Sequence, residues 1–228
     1  MHDAFQQLPP EIRKKIEMVI EGAKTMVILN RQDFFVALNK AAKPGGIVFS
    51  GDSITEGFAL SELFPRDWPL YNRGIGGLTS KQLLDNLDAH ITGLSPKKVF
   101  LLIGTNDIAH GESPEDIAEK VKNICEQTLA SCDRVKVYVL AVYPISTAKA
   151  DFSRYVGLRN NASINLLNKM LQTAISNLGA VTFIDLGADI TDSDGNLRLE
   201  YTVDGLHLSV EAYQKIAMSL LPYIRDDK

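Results

Sequence analysis

The sequence is poor in the residues that several kinds of chemistry need. It holds two cysteines, four histidines and one tryptophan in 228 residues. Cys125 and Cys132 lie in a segment that reads as helix, about two turns or ~10 Å apart, which is too far for a disulfide. They are expected as reduced core thiols. His2, His90 and His110 have no metal-ligand spacing with other histidines, cysteines or carboxylates, so they read as surface or helix-end residues. Neither a metal nor another cofactor is expected. No run approaches the ~18 to 20 apolar residues of a membrane span. Asp3, Glu11 and Glu17 stand where a signal peptide needs basic and then apolar residues, so a cytoplasmic location is expected. Positive charge is also in deficit, 24 basic against 28 acidic side chains for a net charge of −4, which leaves no field to draw phosphate backbones or anionic lipid. Nucleic acid is not an expected partner. Gly74-Ile75-Gly76-Gly77 lacks the full G-x-G-x-x-G pattern and no Walker lysine-serine pair accompanies it, so it is not read as a nucleotide loop.

What is present is the makings of one globular domain over residues 1–228: 45% hydrophobic residues and 23% charged. Residues 1–44 read as a helical extension of two helices packed on that domain, the first starting at Pro9-Pro10 with Ile12, Ile16, Val19, Ile20 and Ala23 at helical spacing, the second carrying Phe34, Phe35 and Leu38. Lys43-Pro44-Gly45-Gly46 then breaks the pattern. Short buried-strand runs follow at 47–49, around 70–71, at 99–103, 135–142 and 181–184. Helical patterns at 79–90, 114–129, 160–178 and 209–224 separate them. Alternating strand and helix predicts a parallel sheet covered on both faces.

Ligands of such sheets bind beyond the carboxyl ends of the strands. Four polar, glycine-marked clusters fall on that edge: Ser50 to Gly57, Asn72 to Gly77, Gly104-Thr105-Asn106-Asp107 and Asp204-Gly205-Leu206-His207. A serine hydroxyl becomes a useful nucleophile when a base takes its proton, and a carboxylate usually holds that base in one tautomer. Ser53, His207 and Asp204 fit these three roles. Acyl transfer also needs fixed donors for the oxyanion, and the Ser53 and Gly77 backbone N–H groups with the Asn106 side-chain amide are the candidates. Asp52 and Asp107 are read as loop-holding residues that accept backbone hydrogen bonds.

In this order and over residues 47 to the C-terminus, the four blocks resemble the SGNH (GDSL) hydrolases. The longer stretches Gly51 to Gly57, Asn72 to Gly77 and Tyr201 to Ser209 are most similar to the platelet-activating-factor acetylhydrolase-like branch. Together with that alternation, the resemblance implies a flavodoxin-like three-layer α/β/α fold with five parallel strands in the order 2-1-3-4-5, and metal-independent hydrolysis of esters. It implies Ser53 as nucleophile, Ser53, Gly77 and Asn106 as oxyanion hole, His207 as base and Asp204 as its orienter. Leu78 and Ala212 depart from the family pattern, at positions that carry no chemistry. Phe58, Trp68 and Tyr143 follow strand ends and are expected to wall the acyl pocket, whereas Arg154, Tyr155 and Arg159 read as a solvated helix start. The expected activity is hydrolysis of short-chain, acetyl-type esters of small molecules. An acyltransferase or thioesterase using the same residues, or a catalytically silent carbohydrate- or protein-binding domain, is the alternative.

Overall fold

The computed structural model describes residues 7–225. Five strands, β1 (Ile47–Gly51), β2 (Leu70–Gly74), β3 (Lys98–Leu102), β4 (Lys136–Leu140) and β5 (Val181–Ile184), pair in parallel in the order β2-β1-β3-β4-β5. Every residue of β1 and β3 is buried, so both read as unbroken apolar runs without alternation. β2 pairs only with β1, and its Asn72 and Arg73 hide its last residues from a hydrophobicity reading. The strand order reverses between β1 and β3, the crevice where ligands of open α/β sheets bind.

The helices are α1 (Pro10–Asn39), α2 (Ser53–Glu56), α3 (Leu60–Leu63), α4 (Ser80–Asp85), α5 (Leu87–His90), α6 (Thr105–Ala109), α7 (Pro114–Ser131), α8 (Ser153–Val156), α9 (Asn161–Ile175) and α10 (Val210–Arg225). The period of two along each strand divides the core. Val99, Leu101, Val137 and Val139 face α4, α5, α7, α9 and the end of α1, while Phe49, Phe100, Tyr138 and Leu140 face α10 and the α3 region. On the second face Phe49, Phe100 and Tyr138 form a stack with ring centroids 4.7 and 4.8 Å apart, laid across three neighbouring strands.

Three expectations need correction. The two N-terminal helices are one continuous 30-residue helix, because Gly22 costs about 1 kcal/mol in a helix and no proline follows Pro10 within it. Only its last third packs on the domain, through Ile28, Gln32, Phe35 and Asn39. The helix expected over 79–90 is broken at Asn86, whose φ of −129° leaves the helical region, giving α4 and α5. His90, read as a surface or helix-end residue, does end α5 but is fully buried. Its Nε2 lies 3.0 Å from Gln32 Nε2 and its Nδ1 3.0 Å from the Arg73 carbonyl, an arrangement satisfied by the neutral Nδ1–H tautomer. Burial lowers its pKa to about 4. His110 is exposed, and His2 lies outside the described residues. Cys125 and Cys132 are buried and free, with Cys132 capping the end of α7.

Candidate active site

Ser53 opens the single turn of α2 at the end of β1. Asp52 caps that turn by accepting a hydrogen bond from the Ile54 N–H at 3.0 Å. The approach is close: a Cβ on Gly51 would come within 2.0 Å of the Leu102 carbonyl oxygen, so only glycine lets β1 and β3 meet here. The turn's carboxyl-terminal side is held by Asn72, whose amide donates to the Thr55 and Phe58 carbonyls and whose Oδ1 accepts from the Gly74 N–H.

His207 reaches Ser53 from the far end of the chain. Its Nε2 is 3.0 Å from Ser53 Oγ, and its Nδ1 is 2.6 Å from Asp204 Oδ2. Asp204 Oδ1 accepts from the Leu206 and His207 backbone N–H groups at 3.0 and 2.8 Å, which ties carboxylate and imidazole into one turn. Burial alone would raise the Asp204 pKa, but the hydrogen bonds from the His207 ring and backbone and from Leu206 outweigh it and hold the carboxyl below its ordinary value. The Tyr155 ring packs against His207 in a T-shaped arrangement, with centroids 6.2 Å apart.

The donors expected at the oxyanion position are unspent. Among the described residues, neither the Ser53 nor the Gly77 N–H donates to a protein acceptor. Gly77 has φ +79°, a left-handed conformation that favours glycine. Asn106 gives one Nδ2 hydrogen to the Leu78 carbonyl at 3.0 Å and keeps the other. Its Oδ1 accepts from Arg159 Nη2 at 2.6 Å, and Arg159 Nε binds both the carbonyl and the hydroxyl of Thr105. Arg159, expected as part of a solvated helix start, is instead the clamp of the Asn106 amide. Its sequence neighbourhood gives no hint of this. The only available signal is that Asn106 Oδ1 needs a donor and that Arg159 follows the fourth strand on the same sheet edge.

Two buried carboxyls complete the floor. Burial pushes Asp52 up to about 7, although its bond from Ile54 and the charges of Arg159 and His207 act in the opposite direction. Burial also raises Asp107 against the Ser80 N–H and hydroxyl that it accepts, and these bonds join the α4 start to the third loop.

The hollow beside these donors, about 220 Å³, is lined by Gly76, Gly77, Asn106, His110 and Arg159, and on its outer side by Glu21, Lys24 and Ile28 of α1. Phe58, Trp68 and Tyr143, expected as its walls, do not line it. Phe58 and Tyr143 are 7% and 3% exposed and belong to the core, where Phe58 stacks on Tyr213 at 5.1 Å. Trp68 borders a separate hollow with Phe64 and Arg66. The large rings bury more apolar area in the core than at the site edge, and the α1 residues take their place.

A parallel sheet of this order, with a hydrogen-bonded serine, histidine and aspartate at its switch point, fits a hydrolase of the esterase and acylhydrolase class. The comparisons agree. The sequence profile of the GDSL-like Lipase/Acylhydrolase family matches residues 49–215. A chain from Streptococcus pneumonia described as a platelet activating factor superposes with a TM-score of 0.87 at 32% identity, covering 92% of this chain and 99% of that one. Platelet-activating factor acetylhydrolase IB subunit alpha2 of Rattus norvegicus is 26% identical over 84% of this chain and 81% of its own length. N-acylneuraminate cytidylyltransferase of Escherichia coli is 32% identical over 64% of this chain, and the match spans only 33% of that longer protein. The chain belongs to the GDSL-like lipase/acylhydrolase family.

Proposed function

We propose that this protein is a metal-independent serine esterase that hydrolyses short-chain, acetyl-type carboxylic esters through an acyl-Ser53 intermediate. The observation that carries the reading is the unbroken relay from Ser53 Oγ through His207 to Asp204, at 3.0 and 2.6 Å. As Ser53 Oγ attacks the ester carbonyl, His207 Nε2 takes its proton, and Asp204 stabilises the imidazolium. The oxyanion is received by the Ser53 and Gly77 N–H groups and by the free Asn106 hydrogen. His207 then gives its proton to the leaving alkoxide. Water, deprotonated by the same imidazole, repeats the sequence on the acyl-serine and releases the acid.

The small hollow beside Gly77 and Asn106, with a mixed polar and apolar lining, favours a small acyl group, as does the similarity to proteins named acetylhydrolases. The buried free thiols accord with a reducing cytoplasm. A series of nitrophenyl esters tests the reading. Acetyl and butyryl esters should turn over best, Ser53→Ala should abolish turnover, and a serine-directed phosphonate should label the wild type alone. Labelling failure would refute the esterase, and higher kcat/KM for esters of twelve or more carbons would refute the short-acyl preference.

A further inference from the structure

The peptide that joins Gly76 to Gly77 carries one of the expected oxyanion donors, and it lies where the chain is least able to hold a direction. The Leu78 N–H donates to the Ile75 carbonyl at 3.1 Å, and Gly77 has φ +79° whereas the φ of Gly76 is not positive, the pattern of a type II turn with the two glycines at its centre. Type I and type II turns differ by about a half-turn of the central peptide, and here that peptide bears the Gly77 N–H. With no Cβ at either central position, both forms are open to the chain. A half-turn would bring the Gly76 carbonyl oxygen to the side where the N–H is needed.

The ends of the turn are fixed by the core. Ile75 and Leu78 are buried, and the Ile75 N–H donates to the Gly51 carbonyl at 3.1 Å. Its middle is held by a side chain. Glu56, the last residue of α2, turns its carboxylate back over the loop, where Oε2 accepts from the Gly76 N–H at 2.8 Å. The contact lies beside the nucleophile, since a Cβ on Gly76 would come within 3.1 Å of Glu56 Oε2 and 3.8 Å of Ser53 Cβ. From Gly74 to Leu78 each backbone N–H thus has a protein acceptor except that of Gly77. The other carboxylate oxygen faces Arg31 of α1 at 3.7 Å, and that guanidinium rests over the buried Phe35 ring at 5.1 Å. An exposed pair of this kind adds little stability, yet it biases Glu56 towards the rotamer that reaches Gly76.

We propose that Glu56 is the positioning residue of the Gly77 oxyanion donor. By holding the Gly76 N–H it restricts the coupled dihedral changes that a peptide flip needs, and so keeps the Gly77 N–H in one direction. The effect on rate rests on the esterase reading; the effect on the turn does not.

Two measurements on the full chain test it. With nitrophenyl acetate, Glu56→Ala should lower kcat roughly ten- to thirtyfold, less than the loss on the order of 10² to 10³ for a donor removed outright, with KM within about twofold. Glu56→Gln keeps an oxygen for the Gly76 N–H and loses the charge, so it should recover most of that kcat. The side chain is 43% exposed, and the urea midpoints of all three proteins should agree. The second measurement needs no substrate: in ¹⁵N relaxation dispersion the Gly77 amide should show microsecond-to-millisecond exchange in Glu56→Ala and none in the wild type or Glu56→Gln. Wild-type kcat in Glu56→Ala, an equal loss in both variants, or a gain in both, as relief of a charge beside the oxyanion would give, would overturn the proposal. So would a Gly77 amide equally still in all three proteins. A wild type that turns over no ester refutes the esterase reading instead, and the amide measurement then decides whether Glu56 holds the turn.

Discussion

The Arg159–Asn106 contact separates two jobs that one amide performs. In the proposed oxyanion role Asn106 Nδ2 keeps one hydrogen for the substrate, and the Leu78 carbonyl that accepts the other and the Arg159 guanidinium that donates to Oδ1 together hold the amide against a flip. Asn106→Ala should therefore lower kcat on the order of 10² to 10³, about 2.7 to 4 kcal/mol, with KM within a few-fold. Arg159→Met should also lower kcat, by a smaller factor. In the double variant the Arg159 change should add little, because its target is gone. Full additivity in steady-state kinetics would mean that Arg159 acts on the substrate directly. Asp204→Asn should preserve the fold but cost about 10⁴ in kcat, since an amide donor at that position selects the wrong imidazole tautomer. Near wild-type kcat would remove Asp204 from the relay. Ser53, His207, Asp204 and Asn106 were legible as candidates because each sits in a glycine- or aspartate-marked turn at a strand end. Arg159 was not, because it meets its partner only through the folded sheet edge.

At the level of elements, legibility followed burial. β1 and β3 are buried on both faces, so their sequences are continuous apolar runs that announce strands. β2 ends in half-buried Asn72 and in buried Arg73 and Gly74, and Arg73 is accommodated by polar and ring contacts: it donates twice to Asn39 Oδ1 and stacks over Phe35 at 4.9 Å. A hydrophobicity pattern cannot register such a strand. For α1, periodicity correctly indicated helix, but the number of apolar residues does not tell which stripe meets the domain. Gln32 and Asn39 lie in the buried stripe, while Val19 and Met26 lie outside it. The α1–α5 contact makes its own prediction. Gln32→Leu leaves His90 Nε2 without its donor, so it should lower Tm although it adds apolar volume, and a rise in Tm would show the contact to be dispensable.

Across the whole molecule, two buried titrations act in opposite directions. His90 has its folded pKa depressed to about 4 from 6.5, so the unfolded chain binds the proton first, and stability is lost as pH falls from 6.5 towards 4. That loss is about 3 kcal/mol. Asp52 has its folded pKa raised to about 7 from 3.8, so the folded chain holds the proton longer, and stability is lost as pH rises from 4 towards 7. That loss is on the order of 4 kcal/mol. The wild type should consequently show a nearly flat urea stability over this window from these two groups. Asp52→Asn should uncover the acid loss of His90, and His90→Phe, less stable throughout, should uncover the opposite slope of Asp52. Parallel pH profiles for all three proteins would contradict the assignment.

Ser53 and His207 are 154 positions apart, and every other part of the relay waits on their meeting. A chain still emerging from the ribosome can complete β1, β2 and β3 and present the serine turn, yet that serine stays an ordinary hydroxyl until the segment before α10 arrives. On the proposed relay the chain should therefore be inert during its own synthesis, and reaction of Ser53 with a phosphonate should mark the moment at which the last loop docks. In refolding, that labelling should lag behind the recovery of helical signal, making the nucleophile a clock for completion of the sheet edge.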